Sequence, residues 1–290
     1  MCKLLLTGAT GFLGSYLLES FVFYGFDVVI LKRGTSNTYR IDHLISKINV
    51  YNIDKITLKE IFELELPEIV VHTACNYGRN GKGSVDIVNT NLVFGINLLE
   101  QAIKVKSKTF INTSTLLPKY VSDYSLSKNQ FSEWLKKNSD NIQGFDFRIE
   151  HMYGPNDDSN KFVEWLINQM RNEVNDIKLT SGIQKRDFIY IDDVVDAFNI
   201  VIEKRYELPK WNQFDIGTNN FIRVKDFILE LARVLEIECN KEIIPRIIFG
   251  AIDYRKGDIM IPELDNKKLL SLGWKPKTTI KEGIQKILKK

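Results

Sequence analysis

The chain has 290 residues, 44% apolar and 27% charged, with 40 basic residues against 37 acidic ones. That composition excludes a disordered polar chain, a collagen-like repeat and a disulfide-stapled secreted module, and the length allows roughly two domains with cores of their own. A net charge of +3 is not the concentrated basic stripe of a nucleic-acid binder, and three histidines with three scattered cysteines lack zinc-ligand spacing. No nucleic-acid partner or metal is therefore expected, and Cys2, Cys75 and Cys239 as free thiols suit a reducing cytoplasm.

In chain order, Lys3–Thr7 is an apolar run that meets a glycine cluster at once, which reads as a buried first strand rather than a signal peptide. A helical pattern over 12–24 follows, then strands at Asp27–Leu31 and Ile48–Tyr51 and a helix at 57–65. Strands at Glu68–His72, Thr109–Thr113 and Phe145–Ile149 alternate with helical patterns at 86–107, 124–139 and 160–172. Strands that are apolar throughout and separated by helices predict an α/β fold, a doubly wound Rossmann-type parallel sheet covered on both faces. The most apolar stretch, Phe21–Leu31, is short and carries Gly25 and Asp27, so no membrane partner is expected. Past residue 150 the turn formers Gly154-Pro155-Asn156-Asp157-Asp158 break the regularity, and helices at Asp192–Lys204 and Val224–Leu235 mix with short strands. This predicts a cofactor domain over 1–150, with a segment near 188–215 returning to it. A smaller mixed α/β substrate domain takes most of 151–290, with ligands in a cleft between the two.

Thr7-Gly-Ala-Thr-Gly-Phe-Leu-Gly14 follows the first strand and opens the first helix. Its glycines allow a tight turn and close backbone approach to a pyrophosphate, and the helix N-terminus offers free N–H groups. Gly8, Thr10, Gly11, Phe12, Leu13 and Gly14 are the expected phosphate positions. At the end of the second strand an NAD site wants a carboxylate for the ribose 2′-OH, whereas this chain offers Lys32 and Arg33. Two cations suit a 2′-phosphate, so NADP(H) is the expected cofactor.

Tyr124-Ser-Leu-Ser-Lys128 puts a phenol and an ammonium on one helix face, where the cation should favour phenolate and bring proton exchange toward neutral pH. Tyr51/Lys55 and Tyr206/Lys210 share the spacing. Only Tyr124 follows a strand that ends in hydroxyls, Asn112-Thr-Ser-Thr115, able to hydrogen-bond a substrate carbonyl.

With these motifs in place the chain resembles the extended short-chain dehydrogenase/reductase (NAD-dependent epimerase/dehydratase) family nearly end to end. The likeness also rests on His72-Thr-Ala-Cys75, Asn91-Leu-Val-Phe-Gly95 and Arg148-Ile-Glu-His-Met-Tyr-Gly-Pro155. Further along, Gln184-Lys-Arg-Asp-Phe-Ile-Tyr190 with Asp192 or Asp193, Asp215-Ile-Gly217 and Leu272-Gly-Trp-Lys-Pro276 carry it on. The resemblance implies that Tyr124 is the general acid/base and that Lys128 holds the nicotinamide ribose and lowers the tyrosine pKa. Thr115 (with Ser114 as fallback) would bind the reacting oxygen. It further implies that Asn52 and Ile53 contact adenine, that Ala74 and Thr113 lie along the cofactor, and that Asn91 either lies by the cofactor or ties helix to strand. Arg186 and Arg255 would hold a nucleotide diphosphate, with Arg79 and His151 reading the sugar or base; a surface turn is the alternative for Arg255.

Within the family, dehydratases follow the catalytic threonine with Asp-Glu, but here Leu116-Leu117 follows Thr115 and can neither donate nor accept a proton. The chain looks most like the 4-ketoreductases that make CDP-3,6-dideoxyhexoses, the CDP-paratose and CDP-abequose synthases. The expected reaction is reduction by NADPH of the C4 ketone of a nucleotide-linked 4-keto-6-deoxy or 3,6-dideoxy sugar, CDP-linked by this likeness. A nucleotide-sugar 4-epimerase and a non-catalytic NADP-binding regulator are the alternatives. The resemblance also implies a homodimer through the helices near 86–107 and 124–139, which carry Val85, Ile87, Leu99, Phe131, Trp134 and Leu135.

Overall fold

The computed structural model describes residues 2–78, 81, 83–172, 175–254 and 257–289. The first half runs β1 (Lys3–Thr7), α1 (Phe12–Phe23), β2 (Asp27–Lys32), β3 (Asn49–Asn52), α2 (Leu58–Glu65), β4 (Ile69–His72), α3 (Ser84–Val88), α4 (Phe94–Lys104), β5 (Thr109–Thr115), α5 (Asp123–Lys137) and β6 (Gln143–Ile149). The second half runs β7 (His151–Tyr153), α6 (Phe162–Arg171), β8 (Ile177–Leu179), β9 (Lys185–Tyr190), α7 (Ile191–Glu203), β10 (Trp211–Ile216), β11 (Phe221–Arg223), α8 (Val224–Cys239), β12 (Ile247–Phe249), α9 (Lys267–Ser271) and α10 (Ile280–Leu288). No described helix is long and apolar enough to cross a membrane.

Two compact units result. One comprises Met1–Ile149 with Val195–Asp215, the other Glu150–Val194 with Ile216–Lys290. In the first, seven strands order as β10-β6-β5-β4-β1-β2-β3, and every ladder from β3 to β6 is parallel. The order reverses between β1 and β4, where doubly wound sheets hold their ligands. Apolar side chains of the strands meet α2, α4 and α5 in a core that includes Val70, Leu99, Phe110, Phe131 and Leu135. Each such side chain contributes roughly 1.5–3 kcal/mol on burial.

Two elements depart from the sequence pattern. β5 runs two residues further than expected, because Ser114 and Thr115 continue the ladder against Arg148 and Ile149. The helix expected over 86–107 is interrupted by a π turn at Asn89–Val93. Such turns carry one extra residue, and here it coincides with the inward-facing Asn91, which is fully buried.

The second unit is held by its motif residues. Asp187 accepts from Thr218 Oγ1 at 2.6 Å and from the Asn219 N–H at 2.6 Å. Of the pair Asp192 and Asp193, Asp193 is buried and accepts from the N–H groups of Lys277 and Thr278, while Trp274 Nε1 donates to its carbonyl. Phe188 stacks on Phe227 with centroids 3.8 Å apart. These motifs serve the scaffold.

Candidate active site

The glycine loop is shaped by close backbone approach. Gly8 has φ +71°, and a Cβ there would lie 2.6 Å from the Ala74 nitrogen, so only glycine fits between β1 and the segment after β4. The Gly11 N–H closes the turn on the Gly8 carbonyl at 2.9 Å. Gly11 then caps α1 with no side-chain hydrogen bond and no acidic residue in the first turn. Helix geometry leaves the N–H groups of Leu13 and Gly14 without intrahelical partners, while the Phe12 and Leu13 side chains are buried. Main chain is what this loop presents to an anion, with Thr10 beside it.

At the other side of the switch point, α5 starts on a capping box. Ser122 Oγ accepts from the Ser125 N–H at 3.1 Å, and Ser125 Oγ accepts from the Ser122 N–H at 3.0 Å. This start sets Tyr124 in the first turn and Lys128 one turn on, on the same face. The Thr115 hydroxyl engages the Tyr124 phenol. Ser114 meets Ser132 Oγ at 3.1 Å instead, and Thr113 donates to the His72 carbonyl at 3.1 Å. Of the three strand-end hydroxyls, Thr115 is the one brought to the tyrosine.

Electrostatics here differ from the sequence expectation. Burial pushes the Tyr124 pKa up, the neighbouring Cys75 adds to this, and the bond with Thr115 pulls it back. The net direction is upward, away from the neutral pH expected of a tyrosine beside a lysine. Tyr124 is held as a phenol. Lys128 is 1% exposed, and its Nζ has no hydrogen-bond partner among the described residues. Burial draws its pKa down, while Cys75 and Asp146 raise it. A buried ammonium without acceptors is costly, and the hydroxyls of a ribose are acceptors of the kind it lacks. The glycine cradle and this orphaned ammonium together fit a dinucleotide.

The 74–78 segment above Tyr124 is pinned by Asn91. Its Oδ1 accepts from the Asn76 N–H at 2.7 Å, and its Nδ2 donates to the Asn76 carbonyl at 2.9 Å and to Ser127 Oγ at 3.1 Å. With the amide spent on its own chain, Asn91 is a tie and not a cofactor contact. The tie sets Tyr77, whose ring stacks on Tyr124 with centroids 4.9 Å apart and planes 29° apart. Ala74 lies partly exposed beside Gly8. His72 is fully buried; its Nδ1 is 2.8 Å from Thr7 Oγ1, and burial followed by the Lys128 charge keeps the ring neutral.

The corner after β2 holds more than two cations. Arg33 is exposed, and the Ile53 N–H donates to the Lys32 carbonyl at 3.0 Å. Asn52 Oδ1 accepts from the Asp54 N–H at 3.0 Å, and Asp54 in turn accepts from the Gly34 N–H at 2.7 Å. A carboxylate is therefore present at this corner, brought from beyond β3. Arg40 also reaches in, donating to the Thr10 carbonyl at 3.3 Å. Sequence reading placed neither residue, because no local pattern reports these contacts.

Of the expected substrate residues, Arg79 and Arg255 lie outside the described residues. His151 is exposed on β7, its Nδ1 2.8 Å from Glu150 Oε2. Arg186 is paired with Asp258 and donates to the Ile259 and Lys185 carbonyls, so its guanidinium is committed within the chain. A diphosphate at Arg186 would have to displace Asp258, which corrects the simple reading of it as a waiting anion clamp. Tyr51, the alternative tyrosine, gives its hydroxyl to Glu65.

A sheet ordered 3-2-1-4-5-6, with a glycine turn where the order reverses, is the mark of the dinucleotide-binding α/β class. Within that class, residues 4–217 match the NAD dependent epimerase/dehydratase family, and the chain belongs to it. CDP-abequose synthase of Salmonella typhimurium is 31% identical across 99% of this chain and 97% of its own length. A putative UDP-glucose 4-epimerase of Methanocaldococcus jannaschii is 27% identical across 98% of this chain and 97% of its own. The structure of UDP-glucose 4-epimerase with UDP-glucose from Thermotoga maritima superposes with a TM-score of 0.83 at 24% identity, covering 99% of this chain and 97% of that one. The dTDP-glucose 4,6-dehydratase of Bacillus anthracis in complex with NAD gives 0.83 at 18% identity, covering 100% and 96%. These two structures share the fold with this chain.

Proposed function

We propose that this protein is an NADPH-dependent nucleotide-sugar 4-ketoreductase acting on a CDP-linked 4-keto-6-deoxy or 3,6-dideoxy hexose. The observation that carries the reading is the half-buried Tyr124, whose pKa its surroundings push up, with Thr115 beside it and the orphaned Lys128 ammonium one turn away on the same helix face. A group kept protonated suits a proton donor. A nicotinamide held there would supply the hydride for the C4 carbon. Thr115 hydrogen-bonds the ketone oxygen, Tyr124 gives its proton to the oxyanion that forms, and the resulting phenolate is reprotonated from water. Lys128 holds the ribose with its free donors. Leu116 and Leu117 give elimination no acid or base, which argues against dehydration. The likeness to CDP-abequose synthase supports the substrate class.

In this reading Lys32, Arg33 and the neighbouring Arg40 receive the 2′-phosphate. The first unit serves the cofactor, and the second, with Arg79, His151 and Arg255, serves the sugar nucleotide. The enzyme works in the cytoplasm as a homodimer through α3–α4 and α5. Ile87, Leu99, Phe131 and Leu135 are consumed by the chain's own core, leaving Val85, Val93 and Trp134 for a partner copy.

A second reading, an NAD-dependent 4-epimerase, is favoured by one observation: the Asp54 carboxylate at the β2 corner, the group an NAD ribose wants. Titration with both cofactors separates the two. The ketoreductase reading expects tighter binding of NADPH than of NADH, and the reverse order overturns the cofactor assignment. Epimer formed from substrate without added cofactor overturns the reaction.

A further inference from the structure

An aspartate occupies the middle of β6, between two buried phenylalanines. Phe145-Asp146-Phe147 lies on β6, and Asp146 is 0% exposed. Asn112, its ladder partner on β5, donates to Oδ1 through Nδ2 at 2.7 Å. Ser132 Oγ donates to the same oxygen at 2.7 Å, and Gln213 Nε2 to Oδ2 at 2.8 Å. Three groups able to donate surround its two oxygens and favour the ionised carboxylate against the burial that raises its pKa. All three donors are uncharged. The carboxylate therefore lacks a hydrogen-bonded counter-ion, and the cation across from it is Lys128.

The placement is built in by α5. Lys128 and Ser132 are four residues apart and share the face turned to β5 and β6. Ser132 Oγ lies 3.2 Å from the Lys128 carbonyl while it grips Asp146, so the carboxylate is fastened to the turn that carries the lysine. The titratable groups around Lys128 are His72 on β4, Cys75 just after it, Asp146 on β6 and Tyr124 on its own helix; β5 contributes only Asn112 and hydroxyls. His72 is neutral and Tyr124 is a phenol, which leaves Asp146 as the carboxylate facing the lysine. A buried pair of this kind is weak as a source of stability, but removing one member leaves the other exposed to the full penalty of burial.

We infer that Asp146 is a positioning residue that keeps Lys128 in its ammonium form through the floor of the site. Burial alone would favour the free amine, which could not give three donors to a ribose. The carboxylate opposes this, and its three neutral donors stop it from closing on the lysine and quenching it. The consequence for turnover rests on the reading of Lys128 as the ribose-holding lysine, whereas the charge coupling itself does not.

The test measures Lys128 directly. The chain is labelled with 13C at lysine Cε, without cofactor or substrate, and the Lys128 resonance is identified by its loss in Lys128→Arg. In Asp146→Asn the Lys128 titration midpoint moves to lower pH, and Asp146→Glu brings it back toward the wild-type position. An unmoved midpoint in a folded Asp146→Asn chain overturns the inference, because a merely structural aspartate changes melting temperature without moving that midpoint. Should Asp146→Asn not fold, the wild-type chain decides. Its Lys128 resonance must respond when a buried carboxylate takes up a proton in the acid range, and a flat resonance there overturns the inference. With NADPH and a 4-keto sugar nucleotide, the alkaline limb of kcat moves to lower pH in the same variant. A moved midpoint without any turnover on the keto sugar leaves the coupling standing and defeats the ketoreductase reading instead.

Discussion

Two regions of the molecule bury polar side chains and treat them in opposite ways. In the second unit Asp187 and Asp193 receive hydrogen bonds from their own chain on both oxygens, and Arg186 is paired with Asp258. Around α5, Lys128 is buried without any hydrogen-bond partner among the described residues, and Tyr124 is held protonated by its surroundings. Folding has no reason to leave a buried ammonium unmatched unless something else binds it. Both regions lie within motifs of the same family. Motif membership therefore does not separate chemistry from scaffold, whereas a buried ammonium with no hydrogen-bond partner among the described residues marks the α5 region.

The contrast can be broken by experiment. The largest effect is expected at Tyr124. Tyr124→Phe removes the proton donor and should lower kcat by about 10²–10⁴-fold, with NADPH affinity little changed by fluorescence titration; near-normal turnover would move the chemistry elsewhere. Asp187→Ala should do the opposite. It removes the acceptor of the half-buried Thr218 hydroxyl and of the Asn219 N–H and costs about 1 kcal/mol in urea unfolding, while NADPH affinity holds.

His72 sharpens the comparison through pH. Its ring is neutral in the fold, so the unfolded chain takes up the extra proton once the pH falls below about 6.5. The unfolded state then binds more protons, and stability drops by about 1.4 kcal/mol for each pH unit below that point. His72→Gln should flatten this slope in denaturation curves taken between neutral and mildly acid pH. A small effect is expected at Trp274→Phe. Losing the bond to the Asp193 carbonyl should cost about 1 kcal/mol, read as a lower urea midpoint without any change in cofactor binding.

Much of the fold was legible because the strands are apolar throughout and the helices carry their own start signals. The strand expected at Lys3–Thr7 and the helix start at Phe12 follow directly from a residue pattern meeting a glycine turn. Thr115 could be singled out from its place at a strand end, but its engagement with Tyr124 depends on how far the β5–β6 ladder runs. Asp54 and Arg40 could not be placed, since their contacts span 20 and 30 positions through the sheet corner. The pairing of Arg186 could not be read because its partner Asp258 lies 72 residues away. Asp146 did leave a signal, an acid set between two phenylalanines of a strand. Such a residue must be either bonded or paired, and that rule alone would have flagged it.

The most direct test of the central claim follows the hydride. NADPH carrying deuterium at the transferable nicotinamide position is incubated with the protein and a CDP-linked 4-keto-6-deoxy sugar, and the product is read by NMR. The account predicts one deuterium at sugar C4 for each NADP+ formed, and loss of both in Tyr124→Phe. Product formed without consumption of NADPH and without label at C4 would contradict it.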